Sequence, residues 1–134
     1  MAHRVTKVLS FAYGHRLMNY QGPCKNLHGH NARLEIVLET KELNALGMVV
    51  DFGEIKGKIK KWVDENLDHR MLVARKDPGY KALQKLDPTV VALDFNPTAE
   101  NIAKLIFDRV SQMGFPVAEV RLWETDTSRA SFRR

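Results

Sequence analysis

Two runs of alternating polar and apolar residues constrain the fold of this chain more than any other feature. The cleaner run spans residues 30–40, where four apolar side chains share one parity: Ala32, Leu34, Ile36 and Leu38. The other spans residues 3–15, where Val5, Leu9, Phe11 and Tyr13 share odd parity and Lys7 interrupts them. A period of two is typical of a strand with one buried face. The runs therefore predict two strands of an antiparallel sheet that is covered on one side.

Two other segments have the period of an amphipathic helix. The first follows Asp51, a predicted N-cap with Glu54 three residues later, and its apolar stripe is Phe52, Ile55, Ile59, Trp62, Val63 and Leu67. The second follows a predicted cap at Asn96 or Thr98 and ends near Gly114, with the stripe Ile102, Leu105, Ile106, Val110 and Met113. Both stripes need an apolar surface to cover.

The rest of the chain completes a small sheet. Residues 117–125 predict a third strand and residues 129–133 a short fourth, while 70–95 contain a DPG turn, a possible short helix at YKALQKL and an apolar run, VVALDF. The predicted order is β-β-α-α-β-β. We expect one α+β domain over residues 1–134, with a four-stranded antiparallel sheet and two helices on one face.

Composition restricts the class of protein. No apolar run approaches the roughly 20 residues of a membrane span, so no membrane association is expected. A single cysteine excludes an intramolecular disulfide and favours the reducing cytoplasm. The net charge of +5 suits an anionic partner. Because most basic residues lie near acidic ones, a phosphorylated metabolite is favoured and nucleic acid is not expected.

Three histidines stand at one end of the first two predicted strands. His28 and His30 share the parity of the inward side chains of the second run, and His15 that of the first. The end of one antiparallel strand lies beside the start of the next, so the three imidazoles should converge. Such a set is a good Zn²⁺ site with one open position, as in catalytic zinc centres. A His-Gly-His pair alone is more often a polar strand end.

The lone cysteine, Cys24, lies four residues before His28 in a loop that contains Gly22 and Pro23. It is a fourth zinc ligand, a reactive thiol or an inert small hydrophobe, and the inert case is the default for a single cysteine. The polar loop argues against the inert case. A nearby dication would stabilise the thiolate and make it a usable base or nucleophile.

Two acidic positions complete the candidate set. Asp68 and His69 follow the first helix. Either the Asp68 carboxylate orients His69 as a general base, or Asp68 is only a polar residue at the helix end and His69 a surface histidine. Glu124 continues the inward parity of the third strand, where a carboxylate is costly unless it is paired. Glu124 therefore either accepts hydrogen bonds from a donor-rich ligand or pairs with Arg121 or Arg129.

Six short motifs occur in order along nearly the whole chain. They are F-x-x-x-H (Phe11 to His15), C-x-x-x-H-G-H (Cys24 to His30), DF (Asp51 and Phe52), LDH (Leu67 to His69), NPTAEN (Asn96 to Asn101) and WET (Trp123 to Thr125). Together they resemble the 6-pyruvoyltetrahydropterin synthase family, and most closely its bacterial 6-carboxytetrahydropterin synthase branch. The resemblance implies the tunnelling fold, in which β-β-α-α-β-β units form barrel-like trimers and two trimers stack into a homohexamer with active sites at subunit interfaces.

The resemblance also implies a reaction and a role for each candidate residue. The substrate would be 7,8-dihydroneopterin triphosphate, and the ligands of Zn²⁺ would be His15, His28 and His30. Cys24 would accept a proton, Asp68 and His69 would belong to the proton relay, and Glu124 would anchor the pterin and take part in the same relay.

The branch determines the product. Three residues separate Cys24 from His28, as in the 6-carboxytetrahydropterin synthases of queuosine and deazapurine biosynthesis, which release acetaldehyde and triphosphate. The alternatives are a pyruvoyl product, simple side-chain cleavage of dihydroneopterin, and a non-catalytic zinc or pterin-binding module. Segment 70–95 is longer than in the compact bacterial form and is expected to alter the rim of the pocket.

Overall fold

The computed structural model describes residues 1–134 and contains six strands and three helices. The strands are β1 (His3–His15), β2 (His28–Thr40), β3 (Arg70–Ala74), β4 (Val91–Leu93), β5 (Val117–Thr125) and β6 (Ser128–Arg133). Helix α1 (52–66) consists of Phe52–Glu54, the π-helical Ile55–Lys60 and Lys61–Asn66. Helices α2 and α3 are Tyr80–Leu86 and Ala99–Gln112, and Pro23–Lys25 forms a single 3-10 turn.

The two alternating runs form the longest strand pair, as predicted. β1 and β2 are antiparallel over their full length, from His3 opposite Thr40 to His15 opposite His28. β5 pairs with the other edge of β2 and β6 with β5, both antiparallel. The even parity of Glu124 on this strand predicts an inward Ala118, but a register shift between Val37 and Leu38 places Val117 in the core instead. The histidine end of the hairpin lies away from this irregularity.

The prediction of four strands, all antiparallel, was wrong. The sheet has six strands in the order β4-β3-β1-β2-β5-β6, and β3 and β4 are parallel additions beside β1. Both strands lie within segment 70–95, where the sequence shows no alternation of polar and apolar residues. In β3 the alternation is missing because Leu72, Val73 and Ala74 are all buried. A strand that is covered on both faces has no polar side, so its sequence shows no period of two.

Both predicted helix caps are present. The carboxylate of Asp51 accepts a hydrogen bond from the Gly53 N–H at 2.8 Å, and the hydroxyl of Thr98 accepts from the Asn101 N–H at 3.1 Å. Gly114, with φ at +93°, follows α3 in the left-handed region. The short helix α2 lies where YKALQKL was named as a possible helix. None of the helices combines the length and apolar character that crossing a bilayer requires.

One apolar core joins both helical stripes to the inward side of the sheet. It contains Ile55, Ile59 and Val63 of α1, Ile102, Ile106 and Val110 of α3, and the alternating residues Leu9, Phe11, Leu34, Ile36 and Leu38 of β1 and β2. The predicted covered face is therefore confirmed. At its β1–β2 end, the same parity continues from apolar side chains to Tyr13, His15 and His30.

Candidate functional site

Strand register brings the three predicted histidines together. His15 lies directly opposite His28, and His30 is two residues further along the same face of β2, opposite Tyr13. The ring centroids of His15 and His28 are 4.5 Å apart, and each lies 5.1 Å from the His30 ring. One ring nitrogen from each residue lies within 4.8 Å of the others. The predicted convergence is confirmed.

Hydrogen bonds orient two of the rings so that Nε2 is free. His15 Nδ1 donates to the Pro97 carbonyl at 2.6 Å, and His28 Nδ1 donates to the Asn26 carbonyl at 2.7 Å. A proton on Nδ1 leaves a lone pair on Nε2, which is the usual arrangement when a backbone carbonyl orients a metal-binding histidine. Burial lowers the pKa of His15, which favours the neutral imidazole that a metal requires.

The spacing of the nitrogens fits a tetrahedral metal. Nε2 of His15 and Nε2 of His30 are 3.2 Å apart. Ligands at about 2.0–2.1 Å from a tetrahedral zinc are separated by about 3.3 Å. The two rings either share a proton, with one Nε2 donating to the other, or both present a lone pair to a cation between them. The three imidazoles can therefore hold one metal ion, and the set of nitrogen ligands suits zinc.

Glu124 reaches this histidine cluster from β5. Its Oε1 lies 3.8 Å from His15 Nε2 and accepts a hydrogen bond from the Tyr13 hydroxyl at 2.9 Å, and its Oε2 lies 3.9 Å from His30 Nε2. Burial, and then the negative charge of Glu124, raise the pKa of the Tyr13 hydroxyl, which keeps it a neutral donor. The carboxylate is thus held at the edge of the cluster, facing the covered side.

The proposed arginine partners of Glu124 are engaged elsewhere. Arg121 pairs with Glu35 at 3.1 Å and with Glu119 at 2.5 Å, and Arg129 lies over the Trp123 ring, 5.2 Å from its centroid. The alternative in which an arginine simply neutralises Glu124 is therefore wrong. One side of the carboxylate remains available to a donor-rich ligand.

Cys24 lies beside the histidine cluster without belonging to it. A cavity of about 390 Å³ is lined by Cys24, His15 and Glu124, together with Thr98 and Glu100. The thiol is absent from the group of atoms that converge on the metal position, which consists of the three histidines alone. This placement argues against Cys24 as a fourth ligand and leaves it within the same cavity as the carboxylate.

Asp68 and His69 form a pair in a different place. His69 Nδ1 lies 2.9 Å from Asp68 Oδ2, and the other Asp68 oxygen accepts from the Ala12 N–H at 2.9 Å. Partial burial opposes the charged carboxylate, but these two hydrogen bonds outweigh it and lower the pKa of Asp68. His69 is largely exposed and lines a separate cavity of about 410 Å³ with Gly14, Gly29 and Met71. A single chain therefore does not bring His69 into the cavity of Cys24.

The backbone of His69 is strained. Its φ is +60°, in the left-handed region, which costs a residue with a side chain roughly 1–2 kcal/mol. A hydrogen bond of 2.7 Å from its N–H to the Ala12 carbonyl fixes the residue where β3 begins beside β1. Strain of this kind is often concentrated at functional sites, and it accords with a role for an exposed histidine that does no packing.

Sequence reasoning missed two groups that orient the site. Tyr13 was assigned only an inward, apolar position, although a buried tyrosine needs a partner for its hydroxyl, and that need is a usable signal. Pro97 was assigned no role, and its carbonyl orients His15 from 82 positions along the chain. No local pattern predicts such a backbone contact.

Comparison with known proteins finds similar sequences over nearly the whole chain. A sequence model of the family described as 6-pyruvoyl tetrahydropterin synthase matches residues 4–134. A relative from Rickettsia bellii, named 6-carboxy-5,6,7,8-tetrahydropterin synthase, is 41% identical over 129 residues, which cover 91% of this chain and 94% of the relative. The family match therefore includes every candidate site residue.

Solved structures share the whole fold. An uncharacterized protein from Wolinella succinogenes is 27% identical and superposes with a TM-score of 0.84, covering 100% of this chain and 99% of the other. The 6-pyruvoyl tetrahydropterin synthase of Caenorhabditis elegans is 25% identical with a TM-score of 0.76, covering 100% and 96%.

Proposed function

The chain belongs to the 6-pyruvoyl tetrahydropterin synthase family, and within it we propose a zinc-dependent lyase that converts 7,8-dihydroneopterin triphosphate and water to 6-carboxytetrahydropterin, releasing acetaldehyde and triphosphate. The observation that carries the proposal is the pair of Nε2 atoms 3.2 Å apart, one of them freed by a backbone hydrogen bond at Nδ1. The name of the Rickettsia relative supports the carboxylated product, which would feed queuosine or deazapurine biosynthesis.

The histidines would hold the metal, and the other residues would bind substrate and move protons. Bound by His15, His28 and His30, zinc would polarise the side-chain hydroxyls of the substrate and make neighbouring protons easier to remove. Glu124 would accept hydrogen bonds from the amidine-like edge of the pterin, with Tyr13 fixing the orientation of the carboxylate. Cys24, in the same cavity, would accept a proton from the substrate.

The place of His69 leads to a proposal about assembly. Because His69 and Cys24 line different cavities of one chain, His69 would join the proton relay from a neighbouring subunit. The outer edges of β4 and β6 have no partner strand within the chain, so both are available for pairing between subunits. These features support assembly through the sheet edges, and the homohexamer of two trimers that we propose is the one the family resemblance implies.

Product identification tests the proposed reaction. Purified, zinc-loaded protein incubated with 7,8-dihydroneopterin triphosphate should yield a carboxylated tetrahydropterin and acetaldehyde in equal amounts, measured by mass spectrometry and an aldehyde assay. A metal-stripped sample should be inactive, and added zinc should restore turnover. A pyruvoyl product would contradict the proposed reaction and would favour a 6-pyruvoyl tetrahydropterin synthase, as the C. elegans protein is named. No turnover by a zinc-replete hexamer would indicate a binding module instead.

A further inference from the structure

We infer that Asp77, together with Arg16, is a positioning residue for the loop that carries Cys24, an inference that rests on the proton-accepting role proposed for that thiol. The loop (16–27) connects the histidine ends of β1 and β2, and its backbone has little regular structure beyond the 3-10 turn at Pro23–Lys25. A thiol that accepts protons from a bound substrate needs a fixed position, so whatever holds this loop matters for turnover.

Asp77 is built to hold a charged partner. Its side chain is fully buried and accepts from both Nε of Arg16, at 2.8 Å, and Nη2 of the same guanidinium. The Gly79 N–H donates to the same carboxylate at 2.8 Å. A buried carboxylate with two-point pairing to one arginine is a geometrically specific contact, since a guanidinium presents its donors in a rigid fork.

The pair joins two parts of the chain that are distant in sequence. Arg16 directly follows the candidate ligand His15 and begins the loop, whereas Asp77 lies in the segment between β3 and α2. Pro78 and Arg16 line one cavity of about 340 Å³ together with the loop residues Tyr20 and Lys25. The segment therefore contributes to the surroundings of the loop.

The contact is transmitted to Cys24 through one backbone hydrogen bond. The Leu17 N–H, next to Arg16, donates to the Cys24 carbonyl at 2.9 Å. The other backbone bonds near Cys24, from Lys25 to Gly22 and from Asn26 to Pro23, stay within its own turn. Fixing Arg16 thus fixes the limb of the loop to which the Cys24 turn is attached.

A second tether shows that this limb is held at two points. The side chain of Asn96 accepts from the Met18 N–H and donates to the Met18 carbonyl, both at 3.0 Å. Asn96 is the first residue of the NPTAEN motif, whereas Asp77 belongs to none of the six motifs. Asp77 is therefore a tether that the six motifs do not predict.

The test uses Cys24 itself as the reporter, since it is the only cysteine. Two variants weaken the pair, Asp77→Asn and Arg16→Lys; the second keeps the charge that a buried carboxylate needs and removes only the fork. Asp94→Asn is the matched control, because it breaks the exposed Arg75–Asp94 pair of the same segment. For each protein we would measure zinc content, the rate of iodoacetamide alkylation, kcat and KM.

We expect both variants to keep their zinc and to alkylate Cys24 several-fold faster than the parent protein. Their kcat should fall by about 10- to 100-fold, the scale of a misplacement near 1 Å, while KM stays close to that of the parent because Glu124 is untouched. Asp94→Asn should match the parent in all four measurements.

Three results would overturn the inference: unchanged alkylation and kcat in both variants, a loss of kcat without faster alkylation, or a parallel loss of zinc and kcat in both. Failure of the proposed function gives a different pattern. In that case the parent protein does not turn over, while the alkylation rates still report whether Asp77 positions the loop.

Discussion

The His28→Ala variant should lose its bound zinc and, with it, catalytic turnover. His28 contributes one of the three converging ring nitrogens, so its removal leaves the cluster with only two. Loss of an outer partner of a metal ligand costs about 10- to 100-fold in affinity, and loss of a ligand itself should exceed that range. Elemental analysis after dialysis against a competing chelator measures the effect.

His3 provides the matched control for this experiment. It is exposed at the opposite end of β1, opposite Thr40, and His3→Ala should retain the zinc content of the parent protein. Circular dichroism of both variants distinguishes metal loss from unfolding. Normal zinc in a folded His28→Ala protein would show that the metal binds elsewhere.

The second large effect concerns Cys24. The Cys24→Ala variant should keep its fold and its zinc, because the three histidines converge without the thiol, yet lose turnover. General acid–base catalysis typically contributes about 100- to 10,000-fold, so kcat should fall within that range. Steady-state kinetics and elemental analysis on the same preparation measure both properties. Loss of zinc together with turnover would make Cys24 a ligand and its proposed role wrong.

Mixing two inactive variants tests whether Cys24 and His69 act across subunits. Cys24→Ala and His69→Ala should each be inactive as pure assemblies. When the two are unfolded, mixed and refolded together, some sites receive an intact Cys24 from one chain and an intact His69 from another, and part of the activity should return. No recovery from a mixture shown to contain both chains would place the relay within one chain, or His69 outside it.

The part of the site that the sequence predicts well is the part that one strand pair determines. Alternation fixes which side of β1 and β2 is buried, and antiparallel pairing brings the end of β1 to the start of β2. Those two facts suffice to place His15, His28 and His30 together. Parity along β5 alone places Glu124 on the same face of the sheet as the histidines. The roles of Cys24, Asp68, His69 and Glu124 in catalysis stay predictions.

What the sequence could not predict depends on contacts between distant segments. β3 was missed because Leu72, Val73 and Ala74 are buried on both faces, so the run lacks the alternation that identifies a half-buried strand. The choice of β1 and β4 as the partners of β3 depends on tertiary packing and not on any residue within β3. Likewise, Asp77 is an ordinary loop acid in sequence, and only the fold shows that its side chain is buried against Arg16.

X-ray absorption at the zinc edge of the metal-loaded protein tests the central claim most directly, because it counts the ligand atoms around the ion. Three imidazole nitrogens at about 2.0–2.1 Å, completed by oxygen and without sulfur, are the predicted result. A zinc–sulfur distance near 2.3 Å, or fewer than three imidazoles, would contradict a histidine-only centre that keeps a position open for substrate.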